Sequence, residues 1–121
     1  MKVANTELKI LETLWKESPL TIGQIIARVQ PETEWHDNTI KTLVTRLYKK
    51  ELVTREKDGK QFFYTPAVEK SAVINEASES LLGRFFEGRL SPLVAHFAKN
   101  KKLTKKEITE IETILNEMKD D

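Results

Sequence analysis

The sequence predicts a mainly α fold carrying one small β-hairpin. Three observations predict it. Only four glycines and four prolines interrupt 121 residues, which leaves little material for long loops. Apolar residues recur at helical spacing along most of the chain. A single β-prone interval, centred on an Asp-Gly dipeptide, breaks that rhythm.

Taken in order, Asn5 is placed to cap a first helix running to about Glu17. Leu8, Leu11 and Trp15 share one stripe, and Ile10 and Leu14 widen it. Ser18-Pro19 ends that helix. Thr21 and Gln24 have capping-box spacing for a second helix with a buried stripe of Ile22, Ile25, Ile26 and Val29, and Pro31 is expected to stop it. The third helix starts near His36 or Asp37, ends near Lys50, and has Ile40, Leu43, Val44 and Leu47 as its apolar face. Residues 52–56 and 61–65 read as strands around Lys57-Asp58-Gly59-Lys60, and Pro66 closes the unit. Ile74, Ala77, Leu81 and Phe85 then mark a fourth helix, weakened at its end by Gly83 and Gly88. Ser91-Pro92 reads as an N-cap and first residue of a short fifth helix containing Leu93, Val94 and Phe97. Thr104 and Glu107 have capping-box spacing for a sixth, along which Ile108, Ile111, Leu115 and Met118 form a coiled-coil-like seam.

Composition removes several function classes. There is no cysteine, so disulfides, thiolate metal sites and cysteine nucleophiles are absent. His36 and His96 lie far apart in sequence, with no second histidine at ligand spacing, so neither a metal nor a cofactor is expected. No Gly-rich phosphate cradle and no Ser-His-Asp order is present, and the protein is not expected to be an enzyme. The longest apolar runs fall far short of the ~20 residues of a membrane span, and the first residues lack the apolar core of a signal peptide. A cytoplasmic protein without direct membrane insertion is expected. Trp15 and Trp35 read as packing residues, and alternation along Phe62, Phe63 and Tyr64 leaves at least one ring exposed.

The net charge of +1 hides a local excess. Between His36 and Lys60 seven lysines and arginines face four acids. Three helices followed by a hairpin is the order of a winged helix-turn-helix, in which the third helix enters the DNA major groove and the hairpin lies along the backbone. The polar face of the third helix suits that task. Asn38 can pair with adenine, Lys41 can donate to guanine, and the Thr42 methyl can touch thymine. Arg46, Lys49 and Lys50 sit further along, towards phosphates, and Lys57 and Lys60 flank the hairpin tip.

The run Asn38-Thr39-Ile40-Lys41-Thr42-Leu43-Val44-Thr45-Arg46-Leu47-Tyr48-Lys49-Lys50, followed by Leu52-Val53, resembles the recognition helix of the penicillinase and methicillin-resistance repressors (BlaI/MecI type). The resemblance extends back through Glu7-Leu8, Ile10-Leu11 and Leu14-Trp15, and forward through Tyr64, Leu93–Phe97 and Leu103–Ile108. It implies a transcriptional repressor that binds a dyad-symmetric operator as a homodimer. Residues 1–66 would form the winged DNA-binding domain and residues 67–121 the helical dimerisation domain. Helix faces and resemblance together assign base readout to Asn38, Thr39, Lys41 and Thr42, and backbone contacts to Arg46, Lys49, Lys50, Lys57 and Lys60. They assign the dimer interface to Leu81, Phe85, Leu93, Phe97, Ile108, Ile111 and Leu115.

The resemblance also implies release by proteolysis in the dimerisation region, driven by a membrane sensor-protease that detects a β-lactam. The family's Asn-Phe cleavage pair is matched here by His96-Phe97, a departure at the candidate cleavage site. Lys41 stands where arginine is common, which weakens a bidentate base contact, and His36 stands where serine is frequent. The cysteine pairs of the family's copper-sensing branch are missing. A different class, a winged-helix docking module without DNA binding, is compatible with the near-neutral charge. It fits the polar third helix less well, since a docking face should expose apolar anchors.

Overall fold

The computed structural model describes residues 2–121. Its elements are α1 (Asn5–Lys16), α2 (Ile22–Thr33), α3 (Asp37–Lys49), β1 (Val53–Asp58), β2 (Gln61–Pro66), α4 (Lys70–Phe85), α5 (Leu90–Lys99) and α6 (Lys105–Lys119). The mainly α class with a single antiparallel hairpin is therefore as expected. By contacts the chain forms two units, one ending at Glu76 and the other Ala77–Asp121.

The first unit holds the core. Ile10, Leu11 and Leu14 of α1, Ile25 and Val29 of α2, and Ile40, Leu43, Val44 and Leu47 of α3 are buried together with Leu20, Leu52, Val53 and Tyr64. Trp15 and Trp35 pack half-buried against this cluster, and Trp15 Nε1 donates to the Val68 carbonyl at 2.9 Å. Val68, beyond Pro66, packs against this core, Val73 of α4 is buried, and the boundary between the units falls inside α4.

Two helix boundaries differ from the sequence expectation in the first unit. The N-cap of α1 is Ala4, not Asn5, and it is served from inside the helix: Ala4 N donates to Glu7 Oε1 at 2.9 Å. The Glu7 carboxylate thus supplies the half of a capping box that satisfies the cap residue's own N–H, and Ala4 contributes no side-chain bond in return. Pro31 does not stop α2, which continues to Thr33 and ends on Glu34 in the left-handed region. Proline removes one helical hydrogen bond, and in the last turn little helix remains beyond it to lose. The Thr21–Gln24 capping box is present in both directions, with Thr21 Oγ1 accepting from Gln24 N at 3.2 Å and Gln24 Oε1 accepting from Thr21 N at 2.9 Å.

A Schellman motif closes α3. Leu52 N donates to Leu47 O at 2.9 Å, and Glu51 N donates to Tyr48 O at 3.0 Å, with Glu51 at φ 63°. This turn swings the chain directly into β1. The hairpin pairs Val53 with Pro66 and Asp58 with Gln61, leaving Gly59 and Lys60 as a two-residue turn; Gly59 takes the positive φ of 65° that this tight link requires. Leu20 adds a short third rung, exchanging backbone hydrogen bonds of 3.1 and 2.8 Å with Tyr64. The hairpin is thereby tied to the segment that leads into α2.

The second unit contains the end of α4, α5 and α6. No residue of α5 or α6 is buried. The cap of α5 is Arg89, so Ser91 lies inside the helix and does not cap it. Pro92 still falls in the first turn, where its missing N–H has no helical partner to forgo. Thr104 caps α6, accepting from Glu107 N at 3.1 Å. Leu81, Phe85, Leu90, Phe97, Ile108, Ile114, Leu115 and Met118 are all exposed.

Candidate nucleic-acid interface

The interface is built around α3, whose two sides are chemically distinct. Ile40, Leu43, Val44 and Leu47 are buried, while Asn38, Thr39, Lys41, Thr42, Thr45, Arg46 and Lys49 are all exposed. Helical spacing puts Asn38, Thr42, Thr45 and Lys49 on the stripe directly opposite the core. It puts Lys41 and Tyr48 on one flank and Thr39 and Arg46 on the other. The two threonine hydroxyls are engaged within the helix: Thr42 Oγ1 donates to Asn38 O at 2.8 Å, and Thr45 Oγ1 donates to Lys41 O at 2.9 Å. With their protons turned inward, these residues offer methyl groups and oxygen lone pairs outward.

The start of α3 is held by α2. Gln30 Nε2 donates to the Trp35 carbonyl at 2.9 Å and to Asp37 Oδ1 at 2.7 Å. Asp37 also places a negative charge in the first turn, where the helix dipole favours it. The angle between the two helices of the motif is therefore fixed by side-chain hydrogen bonds as well as by the core. His36 is the N-cap of α3, without a side-chain capping bond.

The hairpin sorts its charges by face. Strand alternation puts Val53, Arg55 and Lys57 on one face of β1, opposite Pro66, Tyr64 and Phe62 of β2. Val53 and Tyr64 are buried, so this face turns inward at its base. Thr54, Glu56 and Asp58 occupy the other face, with Phe63 half-buried among them. The cations thus lie on the face that joins the core and α3, and the acids lie on the reverse. Lys57 and Lys60 are exposed near the tip.

Two arrangements were not read from the sequence. Arg55 carries its guanidinium carbon over the Tyr48 ring at 4.0 Å and over the Phe62 ring at 4.1 Å, linking β1 to α3 and β2. Each such contact is worth roughly 0.5–1 kcal/mol at an exposed site. The alternation of β1 against an aromatic β2 was the available signal.

Lys50 is the second. It was expected among the backbone contacts, but its ammonium donates to Glu7 Oε1 at 2.6 Å and to Lys2 O at 3.1 Å. Glu7 is fully buried. Burial alone would raise its pKa, but the Lys50 hydrogen bond, the Ala4 N–H and the nearby charges of Lys50 and Arg46 together hold it below the usual carboxylate value. The signal was the stripe itself, because Glu7 stands at helical spacing with Ile10, Leu11 and Leu14.

Two further ion pairs tie α1 and its C-cap residue to α2. Arg28 grips Glu17 through two bonds of 2.6 and 2.9 Å and also donates to the Gln24 carbonyl, and Lys9 pairs with Glu32. Hydrogen bonding to these cations keeps the Glu17 and Glu32 carboxyls below their ordinary range. Among the described residues no cluster of His, Asp or Glu is arranged to hold a metal, and no helix is long and apolar enough to cross a membrane.

The penicillinase repressor family model matches residues 3–117. The chain belongs to that family. It is 34% identical over 118 residues to the penicillinase repressor of Bacillus licheniformis, covering 98% of this chain and 92% of that one. It is 32% identical to the methicillin resistance regulatory protein MecI of Staphylococcus aureus, covering 95% of this chain and 94% of the relative. Among solved structures it resembles the monomeric form of B. licheniformis BlaI in complex with the blaP half-operator. The TM-score is 0.53 and the identity 30%, covering 59% of this chain and 87% of that one. The winged-helix expectation thus stands, and the protein is a DNA-binding transcriptional repressor, a non-enzymatic regulator.

Proposed function

We propose that this repressor binds a dyad-symmetric operator as a homodimer, with the first unit on DNA and the second joining the protomers. One observation supports the reading: the polar side of α3 and the cations Arg55 and Lys57 of the hairpin are exposed on a scaffold fixed from behind by buried Ile40, Leu43, Val44 and Leu47. Asn38, Thr39, Lys41 and Thr42 are the base-reading set, at the N-terminal half of the helix that enters the groove. Arg46, Lys49, Lys57 and Lys60 meet phosphates, whereas the Lys50 ammonium is engaged by Glu7.

The dimer rests on exposed apolar surface. Leu81 and Phe85 are exposed on the last turns of α4, and Phe97, Ile108 and Leu115 are exposed, with Leu93 and Ile111 only half-buried, on α5 and α6, which bury nothing themselves. Joining them in a second copy would cover that surface and hold two winged units at half-sites about 10 bp apart or a multiple of it. Cleavage at His96-Phe97, exposed on α5, would separate dimerising helices from the DNA-binding unit and lower affinity through lost avidity. A membrane sensor-protease is the partner for that step, with the repressor acting in the cytoplasm.

Fluorescence anisotropy tests the operator reading. Labelled DNA from immediately upstream of the protein's own gene is compared with scrambled DNA at two salt concentrations. Preferential, steeply salt-dependent binding to the upstream duplex is expected. No binding to either duplex at low salt would overturn the reading in favour of a protein-docking module.

A further inference from the structure

We propose that Arg55 is a DNA phosphate ligand, held ready by Tyr48 and Phe62 so that α3 and the hairpin grip the backbone as one piece. The inference rests on the operator reading above and goes beyond it in naming a ligand and the device that positions it.

Arg55 is exposed, in the middle of the basic face of β1, between buried Val53 and exposed Lys57. Its guanidinium lies over Tyr48 and Phe62 at 4.0 and 4.1 Å. Tyr48 stands about two helical turns beyond Lys41 on the same flank of α3, so the stack joins the recognition helix to the hairpin. The five N–H donors of Arg55 lie in the plane of the guanidinium as a fork that matches paired oxygen acceptors. Among the described residues no carboxylate or carbonyl accepts from those donors. Arg28 is the contrast within the same unit: its donors are taken by Glu17 and the Gln24 carbonyl, which makes it a structural residue.

An arginine packed for shape alone has no need of a surface position with every donor unmet. The two non-bridging oxygens of a backbone phosphate accept the paired donors of a planar guanidinium, and fixing the side chain beforehand lowers the ordering cost of binding. Tyr48 and Phe62 are each a little more than one-third exposed, which leaves the stack open to an approaching backbone.

The test is the salt dependence of binding. Wild type, Arg55→Met and Arg55→Lys are titrated by anisotropy against two fluorescein-labelled duplexes, one from upstream of the protein's gene and one of mixed sequence. Loss of one phosphate contact lowers the slope of log K against log salt by about 0.9 per bound protomer. Arg55→Met should show that loss, and Arg55→Lys, which keeps the charge, should retain the slope. Tyr48→Leu should weaken binding severalfold at every salt concentration with the slope unchanged. Thermal melts by circular dichroism establish that each variant is folded, and Arg55→Gln replaces the methionine variant should that one not fold. A wild-type slope in the folded, uncharged variant overturns the proposal and leaves Arg55 as packing. Unchanged affinity in Tyr48→Leu overturns the positioning role of the stack. Failure of the wild type to bind either duplex overturns the operator reading along with it.

Discussion

Replacing Lys50 by methionine isolates the most unusual polar contact in the core. The substitution keeps the length and much of the packing of the stem while removing the charge that faces Glu7. Glu7 is fully buried, its Oε1 is held by Lys50 and Ala4 N, and its Oε2 has no partner among the described residues. A hydrogen bond to a charged group contributes about 1.5–3 kcal/mol. Lys50 is itself 42% exposed, so the estimate belongs in the lower half of that range, about 2 kcal/mol. For a unit of this size that is about 10 °C in Tm.

The pH dependence separates charge from packing. In the wild type the folded pKa of Glu7 is depressed, so its contribution is present above the unfolded value and is lost as pH falls through the folded one. In Lys50→Met the burial and the Ala4 hydrogen bond remain while the largest lowering influence is gone, so the folded pKa of Glu7 rises. The difference between the two proteins should therefore widen from pH 4 to pH 7. Urea midpoints at both pH values, taken at one protein concentration, measure it. An equal difference at the two pH values would refute the reasoning and reduce Lys50 to a packing residue.

The other expectations concern DNA and self-association. Lys41→Ala should relax base preference at one operator position by roughly 1–3 kcal/mol, measured by competition between single-substituted duplexes; equal losses on all duplexes would place Lys41 on phosphate. Lys49→Ala should weaken all sequences together and reduce the salt slope by about 0.9 per protomer, and a shift in base preference would contradict that. Leu115→Asp should convert a dimer to monomer in analytical ultracentrifugation while the first unit keeps its melting transition, because Leu115 lies on a helix without a buried residue. A dimer that survives the substitution would move the interface elsewhere.

Most of the scaffold was legible because it depends on spacing. The stripes of α1, α2 and α3 express a local period and the Asp-Gly dipeptide marks the turn, and the residues named from the stripes are buried or packed against the core except Leu8, which is only half-buried at the edge of its stripe. The boundaries failed where a local rule met a longer-range one. Asn5 is a good capping residue in isolation, but Glu7 at the third position reaches back and sets the cap at Ala4. Pro31 breaks helices in general, and here it falls where the helix had only the remainder of a turn to run. The candidate site divided along the same line. The exposed side of α3 followed from its buried side. The Glu7–Lys50 and Arg55–Tyr48–Phe62 contacts join residues from different elements, and only the fold brings those together. Lys50 read as one more cation on a basic helix end until its partner on α1 was visible.

The inward-turned hydroxyls of Thr42 and Thr45 change what the helix presents. Two residues counted as polar in the sequence turn methyl groups as well as oxygen lone pairs outward, so the reading proposed for Thr42, and any by its neighbour Thr45, would turn on single carbon atoms. Uracil pairs as thymine does and differs from it by that one methyl. Operator DNA synthesised with deoxyuridine should then bind more weakly than its thymidine twin at the steps facing these residues, although no hydrogen-bonding group has been altered.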